Sequence, residues 1–153
     1  MTNSRMTDPE VLEFRNPVRV EEHSIRYGSG GKGKWNGGPG ALRRIRFLEA
    51  MTGSVLSGHR RVPPYGMQGG ADGEVGKNWV ERVDGSITPL GGSDETLCQA
   101  GDVFVIQTPT AGGFGALDEW PAEVLALAGS MPDFPEPEVL RQYTGKDLPR
   151  EEL

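Results

Sequence analysis

Apolar residues alternate along NPVRVEEHSIRY, residues 16–27, with Val18 and Val20 in one phase and Ile25 and Tyr27 in the other. A period of two places successive side chains on opposite faces of a strand, so this stretch reads as β structure. The slip of phase near Glu22 and His23 predicts a β-bulge or two short strands. ALRRIRFLEAM, residues 41–51, fits a strand or a helix; its glycine-rich neighbours and the spacing of Ile45 and Phe47 favour a strand. GSVLSGHRRVPPYGMQGG starts as a strand and stops at Pro63 and Pro64, which lock φ and favour polyproline II. NWVERVDGSITPL carries the clearest hairpin signal, Asp84-Gly85 between β-forming residues. AGDVFVIQTPTAGGFG predicts a buried strand over 103–106 that runs into a turn at Gly112 and Gly113.

Beyond Ala116 the pattern changes. LDEWPAEVLALAGS suits a short helix, with Asp118 as N-cap, Pro121 in the first turn and Gly129 as the stop. The expected fold is mainly β: short strands in a barrel-like or sandwich arrangement, joined by Gly/Pro-rich polyproline-II-like segments. It divides into a flexible N-terminal segment (1–14), a β module (15–117) and a proline-rich tail with one or two short helices (118–153).

Composition sharpens this picture. Only 35% of the 153 residues are hydrophobic, and 21 of the 23 glycines fall between Gly28 and Gly115. Each helical glycine costs about 1 kcal/mol relative to alanine, so this region is not helical. Glycines in such numbers, interrupted by Val/Ile/Phe runs, predict turns and close backbone packing instead.

The net charge of −6 conceals an asymmetry. Residues 15–61 carry ten basic and three acidic side chains, whereas 72–153 carry five basic and sixteen acidic ones. That division suits a solvated strand surface or an interface with an acidic partner. No aromatic stacking motif accompanies the arginines, which argues against nucleic acid. The single Cys98 excludes an intrachain disulfide framework and a cysteine-based zinc cage. Every apolar run is shorter than the roughly 20 residues that span a bilayer, and MTNSRMTDPE has no signal-peptide core. A cytoplasmic protein without a membrane partner is expected.

YGSGGKGKWNGGPG raises the question of a nucleotide, because Gly28, Gly30 and Gly33-Lys34 approximate both a dinucleotide fingerprint and a P-loop. A P-loop needs a Ser or Thr hydroxyl for Mg²⁺ after the lysine and a helix facing the phosphate. Trp35 stands at the hydroxyl position, and NGGPG cannot start a helix. The glycines are therefore structural: Gly30, Gly31, Gly33, Gly37 and Gly38 are expected to form a tightly packed loop closed over Trp35.

His23 and His59 are the only histidines and have no carboxylate at ligand spacing, so no metal site is assigned. GHRRVPPYG places Arg60 and Arg61 before a rigid turn containing Tyr65. Paired guanidiniums suit phosphate or carboxylate, and these three residues are the candidate substrate or phosphate contacts. On a strand Arg60 and Arg61 would point to opposite faces, leaving one for a ligand and one for a salt bridge. No Ser-His-Asp or Cys-His set can be assembled. The acidic neighbours of Cys98 should raise its pKa, which argues against a nucleophile.

In combination, four features resemble the C-terminal part of the hydantoinase B/5-oxoprolinase family. They are SGG-x-G followed by a second Gly pair and FLE; RR-x-PP-x-G-x-x-GG; G-x-N; and a TP…GGFG close, together spanning residues 16–115. Asn36 stands where the family usually has Arg, and Thr110-Ala111 replaces glycines. The resemblance implies a small subunit, a split hydantoinase B-type module, of an ATP-dependent enzyme hydrolysing a hydantoin, oxoproline or lactam. The alternatives are a subunit of a ketone carboxylase of the acetone/acetophenone type, or a non-catalytic assembly protein of the same fold. It further implies two partners, a larger hydantoinase B-type chain and a hydantoinase A-type, actin-like ATPase chain. ATP, Mg²⁺ and a divalent metal are expected on those partners, with no cofactor bound by this chain alone.

Overall fold

The computed structural model describes residues 6–116. A short helix, α1 (Pro9–Arg15), precedes seven strands: β1 (Val18–Arg26), β2 (Gly40–Phe47), β3 (Met51–Leu56), β4 (Lys77–Glu81), β5 (Ile87–Leu90), β6 (Ser93–Cys98) and β7 (Val103–Gln107). The helical tail expected over 118–153 lies outside the described residues. Helix α1 occupies part of the stretch read above as flexible. Asp8 caps it by accepting the Glu10 N–H at 2.9 Å, and Pro9 takes the first turn, where its missing N–H costs nothing.

Five strands form one antiparallel sheet in the order β1-β2-β7-β4-β5, and β3 pairs with β6 in a separate ribbon. The architecture is mainly β and its two sheets stay open rather than closing into a barrel. The phase slip in β1 is a bulge. Val20 pairs with Ile45 and Glu22 with Arg44, so Glu21 is the extra residue. Beyond it His23, and then Ile25, return to the face that carries Val18 and Val20.

That face holds the core. Ile45, Phe104 and Val80 lie side by side in register across β2, β7 and β4. Val18, Phe47, Val80, Cys98 and Phe104 are buried together, with Leu12, Met51 and Val55 packed on them. The Phe47 and Phe104 rings sit 6.5 Å apart and tilted by 57°. Gly53 of β3 lies against the Phe104 ring, where a Cβ would come within 3.0 Å of Cδ2. Each buried aliphatic or aromatic side chain contributes about 1.5–3 kcal/mol to stability. Proline in β5 is tolerated because that strand is an edge: Pro89 faces Trp79 without interrupting an inner ladder.

The opposite face explains the charge asymmetry. Arg44 donates two 2.7 Å hydrogen bonds to Glu81, Arg46 pairs with Glu21, and Arg26 pairs with Glu74. Two of these pairs, Arg44–Glu81 and Arg26–Glu74, join the basic first half to the acidic second half. Val105 is fully buried on this face, flanked in register by Arg44 and Trp79.

Candidate functional site

Three glycine-rich segments stack backbone to backbone at one end of the sheet. Gly31 N–H donates to the Ala111 carbonyl at 2.9 Å, Lys34 to Gly115 at 3.0 Å, and Met67 to Gly113 at 2.9 Å. Ala71 N–H donates to Lys32 at 2.6 Å, and Gly113 to Ala71 at 2.8 Å. Residues 112 and 113 therefore continue as an extended segment, where the sequence suggested a turn. A side chain at Gly30 would run into the Gly37 carbonyl, and one at Gly112 into the Tyr65 carbonyl. Gly31, Gly33 and Gly37 are equally enclosed, whereas a side chain at Gly38 would face open space, although its carbonyl accepts the Ala111 N–H at 3.0 Å.

The same network answers the nucleotide question. The N–H groups of Gly31, Lys34, Trp35 and Gly37 donate to backbone carbonyls, and that of Gly33 to the Asn36 side chain at 3.3 Å. They are committed to holding the loop and cannot cradle a phosphate. The chain then enters strand β2 rather than a helix.

Trp35 is not covered by this loop, contrary to the sequence expectation; it is 60% exposed. Trp35 and Phe114 exchange both backbone hydrogen bonds at 2.9 Å, and Met67 bridges Phe114 in parallel from the other side. Directly bridged residues project to one side of a ribbon, so Trp35, Phe114 and Met67 form an apolar strip, each about half exposed or more. Backbone packing holds the segments close and leaves the large side chains on the outside.

Arg60, Arg61 and Tyr65 stand in different surroundings. They lie in a loop after β3 rather than on a strand, so the alternation expected for the two arginines does not apply. Arg60 turns onto the sheet: Nε and Nη2 donate to Asn78 Oδ1 at 3.2 and 3.0 Å, and Nη1 donates to the Gly58 carbonyl at 2.7 Å. Asn78 is itself buried and donates to Ser57 Oγ at 3.1 Å and the Gly91 carbonyl at 2.9 Å. Burial pushes the Arg60 pKa down, with no carboxylate to oppose it. Arg61 is exposed without a hydrogen bond or ion pair among the described residues, and Tyr65 is exposed as well.

Sequence reasoning missed Arg43. It pairs in register with Ile106, which pairs with Asn78, so Arg43, Ile106 and Asn78 form a row on the core face. Its Nε is buried without a partner. The available signal was Arg43-Arg44 on a predicted strand, which puts one guanidinium on each face.

His59 adopts a left-handed φ of 50° and its Nδ1–H donates to the Val62 carbonyl at 3.0 Å, so it shapes the arginine loop. Cys98 is buried, and burial pushes its thiol pKa up. Among the described residues no three His, Cys, Asp or Glu side chains are gathered to hold a metal. None of the described helices is long and apolar enough to cross a membrane. Asn36 and Thr110, read above as departures from the pattern the sequence resembles, are built in locally. Asn36 caps the loop through Gly33, and the buried Thr110 accepts the Glu74 N–H on its Oγ1 at 2.7 Å. The region offers guanidiniums, amides and exposed apolar surface, which is equipment for binding and positioning.

Comparison with known proteins gives these features a context. The family described as hydantoinase B/oxoprolinase matches residues 1–117. The 5-oxoprolinase of Saccharomyces cerevisiae is 51% identical over 107 residues, 69% of this chain and 8% of the yeast protein. That of Dictyostelium discoideum is 44% identical over 118 residues, 77% of this chain and 9% of its own length. The crystal structure of the ATP-dependent caprolactamase from Pseudomonas jessenii superposes with a TM-score of 0.65 at 24% identity, covering 95% of this chain and 26% of the caprolactamase chain. The chain thus spans less than a tenth of the length of these 5-oxoprolinases.

Proposed function

Since the chain belongs to the hydantoinase B/oxoprolinase family, we propose that it is the C-terminal-type β module of a multi-subunit, ATP-dependent enzyme that opens a cyclic amide. Its partners are a larger hydantoinase B-type chain and an actin-like, hydantoinase A-type ATPase chain. Those partners hold ATP with Mg²⁺ and the divalent metal. This chain supplies a rigid wall of the assembly. The substrates in the relatives' names, 5-oxoproline and caprolactam, are both cyclic amides, which favours ring opening over ketone carboxylation.

The observation that carries this reading is the strip of Trp35, Phe114 and Met67 on the glycine layer. Large apolar side chains gathered on a fixed platform, each about half exposed or more, suit a protein interface. Purification of a tagged copy from its native cell, followed by mass measurement of the intact complex, tests the reading. Co-elution with both larger chains is expected. A monomer without companions contradicts the subunit role, and binding without any associated ring-opening activity selects the non-catalytic assembly alternative.

A further inference from the structure

Four of the half-buried arginines have a carboxylate: Arg26 has Glu74, Arg44 has Glu81, Arg46 has Glu21 and Arg82 has Asp102. Arg43 and Arg60 are also half-buried and have none. The Arg43 guanidinium makes no hydrogen bond among the described residues, and its buried Nε is orphaned. Arg60 has only the neutral oxygens of Asn78 and Gly58.

These two are neighbours across the sheet. Arg43 and Asn78 flank Ile106 in register on one face, roughly 10 Å apart by strand spacing, and the Arg60 guanidinium lies on Asn78. Arginine side chains of ordinary length reach across that gap. His23 pairs with Arg43 in register on the edge strand. No acidic residue occupies the row of His23, Arg43, Ile106, Asn78 and Leu90.

Cations withdrawn from water are normally compensated by an opposite charge. We propose that Arg43 and Arg60 form an oxyanion site over Ile106, which takes a phosphate or carboxylate group. Asn78 holds Arg60 in place by accepting from Nε and Nη2, which leaves guanidinium N–H groups of both arginines for the ligand. Arg61 is outside the site. The assignment rests on charge pairing within this chain and holds whether or not the chain works as a subunit.

Thermal unfolding of the full chain tests it, with sodium phosphate or sodium acetate added against sodium chloride at equal ionic strength. A ligand bound only by the folded state raises Tm in proportion to the logarithm of its concentration. Wild type and Arg61→Gln should both show that rise. Arg43→Met should fold, because it removes an uncompensated charge, and should lose the response; its apparent affinity should fall about tenfold or more, as expected for a charge-assisted contact. Arg60→Lys should weaken the response likewise. A response to phosphate alone identifies a phosphate-type ligand, and one to acetate alone a carboxylate. No rise with either anion, or an undiminished rise in Arg43→Met, overturns the proposal.

Discussion

Arg82 Nη1 lies 2.9 Å from Asp102 Oδ2, and the Asp102 side chain is only 3% exposed. The same carboxylate accepts the N–H groups of Val83 at 3.0 Å and Gln99 at 2.9 Å, so it fastens the turn after β4 to the start of β7. Burial pushes the Asp102 pKa up, but the Gln99 amide, the Arg82 guanidinium and the Val83 amide together bring it below the ordinary 3.8. A carboxyl with a lowered folded pKa adds stability that is complete above the unfolded value and lost as pH falls through the folded one.

Two outcomes follow for this pair. Arg82→Ala strands a buried charge and should cost about 3–5 kcal/mol in denaturant unfolding at neutral pH. Melting temperature should be flat around pH 7 and fall below about pH 4, with a shallower decline in Asp102→Asn, which has no carboxyl to protonate.

The glycine layer makes a position-specific prediction. Gly30→Ala and Gly112→Ala drive a Cβ into a backbone carbonyl that cannot rotate away, and each should destabilise by about 1–3 kcal/mol or more. Gly38→Ala meets no atom and should stay within about 0.5 kcal/mol of wild type. Parallel urea titrations of the three variants make the comparison.

Much of the β framework was legible because local chemistry writes it directly. The period-two pattern with one slip marked β1 and its bulge, and Asp84-Gly85 marked the β4–β5 hairpin, where Gly85 takes a φ of 84°. Strand β6 was not legible. Of SDETLC only Cys98 is buried, so the strand has no apolar alternation and exists through its pairing with β3. The candidate site was half legible. Glycine density announced close packing, but which arginine lacks a counter-ion depends on partners far along the chain, such as Glu81, 37 residues from Arg44. Helix α1 was overlooked although Asp8-Pro9 is a sound start signal, because no residue in it is buried enough to produce a clear apolar stripe.

Arg60 is also a structural tie, and its removal should be felt in the isolated chain. Arg60→Ala leaves Asn78 Oδ1 buried without a donor, at a cost of about 1–3 kcal/mol. Arg61→Ala, at an exposed position without such contacts, should change stability by no more than about 0.5 kcal/mol. A difference between the two smaller than the error of chemical denaturation would argue against the Asn78 contact.

Cys98 should be chemically silent in the folded chain. Burial pushes its thiol up; Arg82 pulls against that and Asp102 adds to it, so thiolate is scarce. A thiol-specific disulfide reagent near pH 8 should label no cysteine in native protein and one after unfolding in denaturant. Rapid native labelling would contradict the burial.

The proposed role of this chain is to shape an assembly whose reactive groups are contributed by other chains. The most direct measurement is ATP-dependent opening of 5-oxoproline by the two proposed partners, a larger hydantoinase B-type chain and an ATPase chain, with and without this chain. The account predicts turnover when all three are combined, none from this chain by itself, and a marked loss when it is left out. Ring opening by the purified chain unaided, or equal turnover by the two larger chains in its absence, would contradict it.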